Sequence, residues 1–368
     1  MPAGSAPLVE QVDVAAYTVP TDAPEADGTI AWDATTMVLV RATSSGVTGL
    51  GYSYADPSAA ELVRGKLAGV VRGADALSVG GAWLAMWRAL RNIGRPGIAA
   101  HALSAVDNAL WDLKARLLGI PLVQALDGVR LEVPIYGSGG FTSYSVERLR
   151  DQLGGWMEQG IGAVKMKIGT DPGQDLARVR AAREAIGPRA ALFVDANGAY
   201  SRKQALAFAE AFSELDVTWF EEPVPSDDLV GLRLLRDRAP AAMDIAAGEY
   251  GYDVGYFRDM LQAQAVDVLQ ADATRCGGIT GFLRAGALAD AFQLDLSAHT
   301  APALHVHACC ALPRLRNLEY FHDHARIERM LFDGALQPQR GVLRPDLSRP
   351  GLGVEPRWSE FERFEVSF

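Results

Sequence analysis

The stretch GAVKMKIGT, residues 162–170, places two lysines two positions apart inside an apolar segment. Residues i and i+2 of a strand project from one face, so Lys165 and Lys167 stand side by side. Two ammonium groups held together repel, and a purely structural strand gains nothing from that. Taken alone, the pair fits an exposed edge strand blunted by charge. Its surroundings point elsewhere. From about Val133 onward, the short apolar stretches VPIYG, AVKMKIG, ALFVDAN, TWFEEP, DIAAGE, VLQAD, LDLSAH and NLEYF alternate with helical segments such as DLARVRAAREAIG and SRKQALAFAEAFSEL. Eight strands separated by helices imply a parallel sheet, and about 200 residues suit closure into a β/α barrel. An open doubly wound sheet is the alternative, but no Gly-rich phosphate fingerprint follows its first strand.

Upstream the pattern differs. TMVLVRATS (36–44) and TGLGYSYA (48–55) are expected to form an antiparallel hairpin, followed by helices over SAAELVRGKLAGVVRG and GIAAHALSAVDNALWDLKARLLG. The second of these stops at Gly119 before Pro121. The expected organisation is an α+β capping domain over residues 1–125 and a barrel over 126–340. Segment 341–368 is expected to pack back on the cap.

Composition limits the function. The chain has 368 residues, 49% of them apolar, and a formal net charge of -10, which argues against nucleic-acid binding. No apolar run reaches the ~20 residues of a membrane span. The opening MPAGSAPLVEQVDV lacks the basic and apolar regions of a signal peptide. The cysteines, Cys276, Cys309 and Cys310, have no metal-ligand spacing, and two of them are adjacent, so reduced thiols and a cytoplasmic location are expected.

Polar residues at the C-terminal ends of barrel strands line the mouth where barrel enzymes work. Here those ends carry Lys167, Asp195, Glu221, Glu249, Asp272, His299 and Glu319, at spacings of 28, 26, 28, 23, 27 and 20 residues. Each spacing is about one βα unit. Asp195, Glu221 and Glu249 lie on consecutive strand ends, and three converging anions call for a hard cation, with Mg²⁺ the best fit. Any one of these acids taken singly also fits a helix cap. A lysine abstracts protons only when neutral, and both a second lysine and a nearby cation lower its pKa, so the Lys165–Lys167 pair suits base chemistry. Asp272 can orient His299 as a second base opposite Lys167. The other histidines, His101, His305, His307, His322 and His324, are read as structural, with no carboxylate paired to His305 or His307.

The motifs KMK, VDAN, WFEEP, AAGE, QADATRCGG, SAH and LEYF together resemble the enolase superfamily, specifically its mandelate racemase group, over nearly the whole chain. That resemblance implies a (β/α)₇β barrel with an N-terminal α+β cap and Mg²⁺ on Asp195, Glu221 and Glu249. It implies Lys167 as one acid/base, tuned by Lys165, and a His299–Asp272 dyad as the other. Glu319 is implied as a protonated donor to the substrate carboxylate, and Asn197 as a substrate contact. Related groups carry a lysine near the end of the sixth strand, where this chain has Asp272, with Arg275 keeping a cation at the mouth. The shared step implied is removal of the proton α to a carboxylate to give a stabilised enediolate. A homo-oligomer, dimer or octamer, is implied as well.

Two bases on opposite faces permit racemisation, and equally permit dehydration, in which the second base protonates a departing β-hydroxyl. An acid-sugar dehydratase is the leading expectation. A racemase or epimerase of a hydroxy acid, amino acid or betaine is the alternative, and a non-catalytic binding protein comes last. The segment PTDAPEADGTIAWD (20–33) is expected to be a loop closing over the mouth. Its Asp22, Glu25, Asp27 and Asp33 would accept hydrogen bonds from a polyol, or with Trp32 hold a cationic group. The loop has no arginine to grip a second carboxylate, which disfavours a diacid. Ser138 or Ser143, after the first barrel strand, is a further candidate substrate contact.

Overall fold

Each apolar stretch after Val133 is too short to bury its own backbone edges, and only lateral pairing satisfies its N–H and C=O groups. In the computed structural model, which describes residues 6–367, eight strands do so in one ring. They are β4 (Val133–Gly139), β5 (Ala163–Lys167), β6 (Ala191–Asp195), β7 (Val217–Glu221), β8 (Asp244–Ala247), β9 (Val268–Ala271), β10 (Asp295–Ala298) and β11 (Leu315–Phe321). They pair in parallel in sequence order, and β11 closes on β4 through Leu318–Ile135 and Glu319–Tyr136. A helix joins each strand to the next, so the barrel is (β/α)₇β and the open doubly wound sheet is excluded. Lys165 therefore lies on an interior strand and not on an exposed edge: β5 pairs with β4 and β6.

Three long strands precede the barrel: β1 (Gln11–Ala26), β2 (Ala31–Ser44) and β3 (Val47–Tyr54) form an antiparallel sheet. Helix Ile98–Leu118 packs on it, and Gly51 permits the approach, since a Cβ there would lie 2.1 Å from the Ala109 nitrogen. That helix ends at Gly119, whose φ of 67° is the left-handed cap that glycine adopts freely. The last turns of chain divide: Val342–Leu343 pairs with β4 of the barrel, whereas Glu365–Val366 pairs with β1 of the cap. The first five residues of the expected cap and of the N-terminal stretch tested for a signal peptide lie outside the described residues, as does Phe368. Among the described residues no helix is long and apolar enough to cross a membrane.

The stretch 20–33 is no loop. It is the tip of the β1–β2 hairpin, with a turn at Asp27–Ile30. The tip rests on the barrel mouth, where a Cβ on Gly28 would lie 2.3 Å from the Ala196 carbonyl oxygen. Thr142 and Thr170 hydroxyls both donate to the Asp27 carbonyl, and the Arg326 guanidinium donates to that of Pro20.

Glu328, on helix His322–Leu331, links cap to barrel: the Tyr52 hydroxyl donates to one of its oxygens (2.6 Å) and the Ala303 N–H to the other (2.9 Å). Burial pushes its carboxyl up from 4.5 to about 8. The folded chain thus holds a proton there that the unfolded chain has released. Its contribution to stability is complete below about 4.5 and lost as pH rises through about 8. Glu328→Gln is expected to remove that part of the decline, on the order of a few kcal/mol. Denaturant unfolding of both proteins at pH 5 and pH 8 measures it, and equal declines would contradict it.

Candidate active site

The barrel delivers seven polar side chains to one mouth because each lies at or near the C-terminal end of a strand. Lys167, Asp195 and Glu221 are the last residues of β5, β6 and β7 and lie in register, Lys167 beside Asp195 and Asp195 beside Glu221. Glu249 follows β8, Asp272 follows β9 and His299 follows β10, while Glu319 lies within β11. All seven are buried, none more than 5% exposed. Several residues that aim them sit in the left-handed region without being glycine: Asn197 at φ 45°, Glu222 at 37° and Thr300 at 53°. Such strain persists only where surrounding structure imposes it.

Asp195, Glu221 and Glu249 each offer an oxygen within 4.8 Å of the others. Burial and the neighbouring Asp195 charge push the Glu221 carboxyl well up, and Glu249 Oε2 is buried without a hydrogen-bond partner. A buried carboxylate oxygen left over in an all-oxygen triad fits a hard divalent cation, and the site is suited to Mg²⁺.

Lys165 pairs with Glu221, with Glu319 (2.9 Å) and with Asp195 (3.4 Å), and Lys167 Nζ lies 2.5 Å from Asp195. The lysine pKa values run opposite to the sequence-based expectation. Burial alone would lower both, but it is outweighed by Glu221 and Glu319 around Lys165 and by Asp195 beside Lys167, so both are raised. Glu319 departs from expectation too. Burial would raise its carboxyl, but Lys165, His299 and Lys167 bring it down to about 2, so it is ionised and accepts rather than donates. It takes hydrogen bonds from the Ser138 hydroxyl (2.5 Å) and the Thr300 N–H (3.2 Å). Ser138 is thereby fully buried and committed to Glu319 rather than free for a substrate. The Ser143 hydroxyl likewise donates to the Pro24 carbonyl.

His299 Nδ1 donates to Asp272 at 2.8 Å, which leaves Nε2 3.4 Å from Glu249 and 3.6 Å from Glu319. Burial opposes ionisation of Asp272, but His299, His305 and Arg275 hold its carboxyl well below the usual range. His305, read as having no carboxylate partner, lies with Nε2 3.6 Å from Asp272, and that nitrogen accepts the Ala273 N–H. Lys167 thus abuts one end of the carboxylate triad, at Asp195, and His299 the other, at Glu249. Asn197 is 9% exposed, its N–H donates to Asp195, and its side-chain oxygen has no partner.

A cavity of about 420 Å³ opens above His299, bordered by Trp32, Thr36, Tyr54, Tyr250, Arg275 and His324 among others. Arg275 is its one lysine or arginine among the described residues, and it is paired with Glu249 at 3.2 Å. Of the hairpin acids only Asp27 borders the cavity, and its carboxylate caps its own turn through the N–H groups of Thr29 and Ile30. Asp33 is exposed, and Glu25 is buried and accepts the Trp32 indole N–H at 2.9 Å. The sequence reading missed Tyr54, Tyr250 and Thr300. The last two directly follow strand-end residues, which is the signal that would have found them.

Residues 148–360 match the family model described as enolase C-terminal domain-like, and residues 11–127 that of the mandelate racemase/muconate lactonizing enzyme N-terminal domain. Among curated proteins, a 3,6-anhydro-alpha-L-galactonate cycloisomerase of Streptomyces coelicolor is 34% identical, covering 88% of this chain and 89% of its own. An L-talarate/galactarate dehydratase of Salmonella typhimurium is 31% identical, covering 84% and 77%. Among solved structures, a mandelate racemase/muconate lactonizing enzyme-like protein from Rubrobacter xylanophilus is 58% identical, with TM-score 0.96 over 98% of this chain and 100% of its own. A Streptomyces coelicolor racemase with bound magnesium is 32% identical, with TM-score 0.92 over 98% and 100%. With both domains matched and the seven strand-end groups gathered at one mouth, the chain belongs to the mandelate racemase/muconate lactonizing enzyme family of the enolase superfamily.

Proposed function

We propose that the protein eliminates the β-oxygen of a sugar acid carrying a single carboxylate, as an acid-sugar dehydratase giving a 2-keto-3-deoxy acid. The observation that carries this is the pair of bases flanking one carboxylate triad, Lys167 against Asp195 and His299 against Glu249. Asp195, Glu221 and Glu249 would hold Mg²⁺, which would supply positive charge beside the substrate carboxylate; Asp195, once engaged there, would stabilise the Lys167 ammonium less and so favour the neutral amine. One base then takes the α-proton, leaving the enediolate, and the opposite one protonates the departing β-oxygen. Asp272 fixes the His299 tautomer so that Nε2 faces the substrate. Glu319, ionised and tethered by Ser138 and Thr300, holds Lys165 in place beneath the site.

The cavity supports a monoacid. Its one guanidinium is already paired with Glu249, and a second substrate carboxylate would face Asp27 and Asp56. Tyr54, Tyr250 and Thr36 offer hydroxyls suited to a neutral polyol. The curated relatives include both a dehydratase and a cycloisomerase. The same residues would serve an anhydro sugar acid, whose β-oxygen stays tethered so that the product is an isomer, and racemisation is the remaining outcome of two opposed bases.

A panel of aldonates, aldarates, anhydro-aldonates and N-methylated amino acids, incubated with Mg²⁺ in D₂O, tests this. Aldonates are expected to give a semicarbazide-reactive product that has lost water. Preference for aldarates would overturn the monoacid assignment. A semicarbazide-reactive product that keeps every oxygen of the substrate identifies the tethered elimination, and inverted optical rotation without a keto acid identifies the epimerase.

A further inference from the structure

A second group of ligand-type side chains lies outside the catalytic mouth: Asp22, Glu25 and His322 each offer a donor atom within 4.8 Å of the others. Asp22 and Glu25 belong to β1, and three positions apart in a regular strand they would face opposite sides. The strand is not regular there. Pro20 pairs with Ala34 and Glu25 with Trp32, so the four residues 21–24 stand opposite Asp33 alone. That bulge brings both carboxylates toward His322, the first residue of helix His322–Leu331. His322 Nε2 and Asp22 Oδ2 are 3.1 Å apart.

A second observation points to a ligand. Glu25 is fully buried, and while its Oε2 accepts the Trp32 indole N–H, its Oε1 has no partner. Asp323, the next residue after His322, is also buried with Oδ2 unpartnered, and its charge acts on Glu25. The charges facing the group are the carboxylates of Asp22, Glu25 and Asp323 against two guanidiniums, Arg148 at 3.4 Å from Asp22 and Arg326 on Asp323. Burial and the Asp323 charge push the Glu25 carboxyl up to about 8, so an ion bound there would displace the Glu25 proton.

We propose that Asp22, Glu25 and His322 form a site for a divalent transition-metal ion of the Zn²⁺ class, distinct from the catalytic centre, that clamps the capping hairpin to the barrel. One imidazole nitrogen and two carboxylate oxygens favour Zn²⁺ or Co²⁺ over Mg²⁺, with water completing the shell. Because Glu25 also holds the Trp32 indole, and Trp32 borders the cavity, the ion fixes one wall of the substrate site. The site stands whichever reaction that cavity carries out.

Titration of the Mg²⁺-saturated full-length enzyme with Co²⁺ tests this. Co²⁺ displaced by excess Mg²⁺ reports on the catalytic carboxylates, whereas Co²⁺ that resists displacement reports on the clamp. The expected result is one such resistant ion per chain, with visible ligand-field absorption and a raised Tm. His322→Ala and the isosteric Asp22→Asn should each weaken that binding at least ~100-fold, since losing a ligand costs no less than losing its outer-shell support. Turnover without added Co²⁺ should be unchanged in both variants. Absence of a resistant ion, or equal affinity in parent and both variants, would overturn the proposal.

Discussion

Lys167→Ala and His299→Asn are each expected to lower dehydration by at least ~10³-fold while leaving Mg²⁺ affinity near that of the parent, because neither side chain belongs to the carboxylate triad. The two variants should differ in D₂O. The one that retains the abstracting base should still exchange the α-proton of bound substrate, whereas the one that lacks it should not. Proton exchange followed by NMR, alongside keto-acid release, separates these outcomes and assigns the base. Each variant also has a structural cost to control for. Lys167 is 5% exposed and pairs with Asp195, so its removal leaves a buried carboxylate relying on Lys165 and the Asn197 N–H. In His299→Asn the Asp272 carboxylate keeps the Thr274 N–H and the nearby Arg275. Folding is therefore expected to persist in both, verified by an unchanged circular-dichroism spectrum. Full turnover in either would refute the assignment of two bases.

The second large effect is expected at the triad. Asp195→Asn removes one of three converging charges and the partner of Lys167, and should weaken Mg²⁺ binding by ~100-fold or more. Exchange and elimination should vanish together in this variant. Calorimetric titration of Mg²⁺ distinguishes it from Lys167→Ala, where chemistry is lost and the ion still binds. Removing one partner of a buried pair costs ~3–5 kcal/mol when the other charge is left uncompensated. Lys165 keeps Glu221 and Glu319, and Lys167 can release its proton, so the stability loss should fall below that range. Unchanged Mg²⁺ affinity in Asp195→Asn would remove the triad as the ion's holder.

The two outer predictions bear on different parts of the fold. The pH response of Glu328 concerns how the cap is held, through a protonated carboxyl between Tyr52 and Ala303. The clamp at Asp22, Glu25 and His322 concerns how its hairpin tip is placed over the mouth. Neither residue set touches the triad, so either result can fail without altering the other or the catalytic assignments.

The barrel and the seven strand-end groups were legible in the chain because both follow from local rules. An apolar run bounded by turn signals becomes a strand, and a polar residue at its C-terminal end must face the mouth, since the barrel interior behind it is packed. Spacings of one βα unit therefore carry three-dimensional information. What the sequence left undecided has a common physical origin in contacts between distant segments. Stretch 20–33, rich in Pro and Asp, has a loop's composition, yet pairing with β2 makes it a strand and docking on Ala196 fixes its tip. Ser138 was free on paper and is spent on Glu319, 181 positions away. Glu319 was expected to keep its proton, and the lysine that ionises it reaches it only across the closed ring. His322 and Asp22, 300 positions apart, meet only because a bulge turns one strand toward the start of helix His322–Leu331, which follows the last barrel strand. Side-chain periodicity fixes which face a residue takes within its own element. Which other element that face meets, and therefore which charges it feels, is settled only when the ring closes and the cap is laid across it.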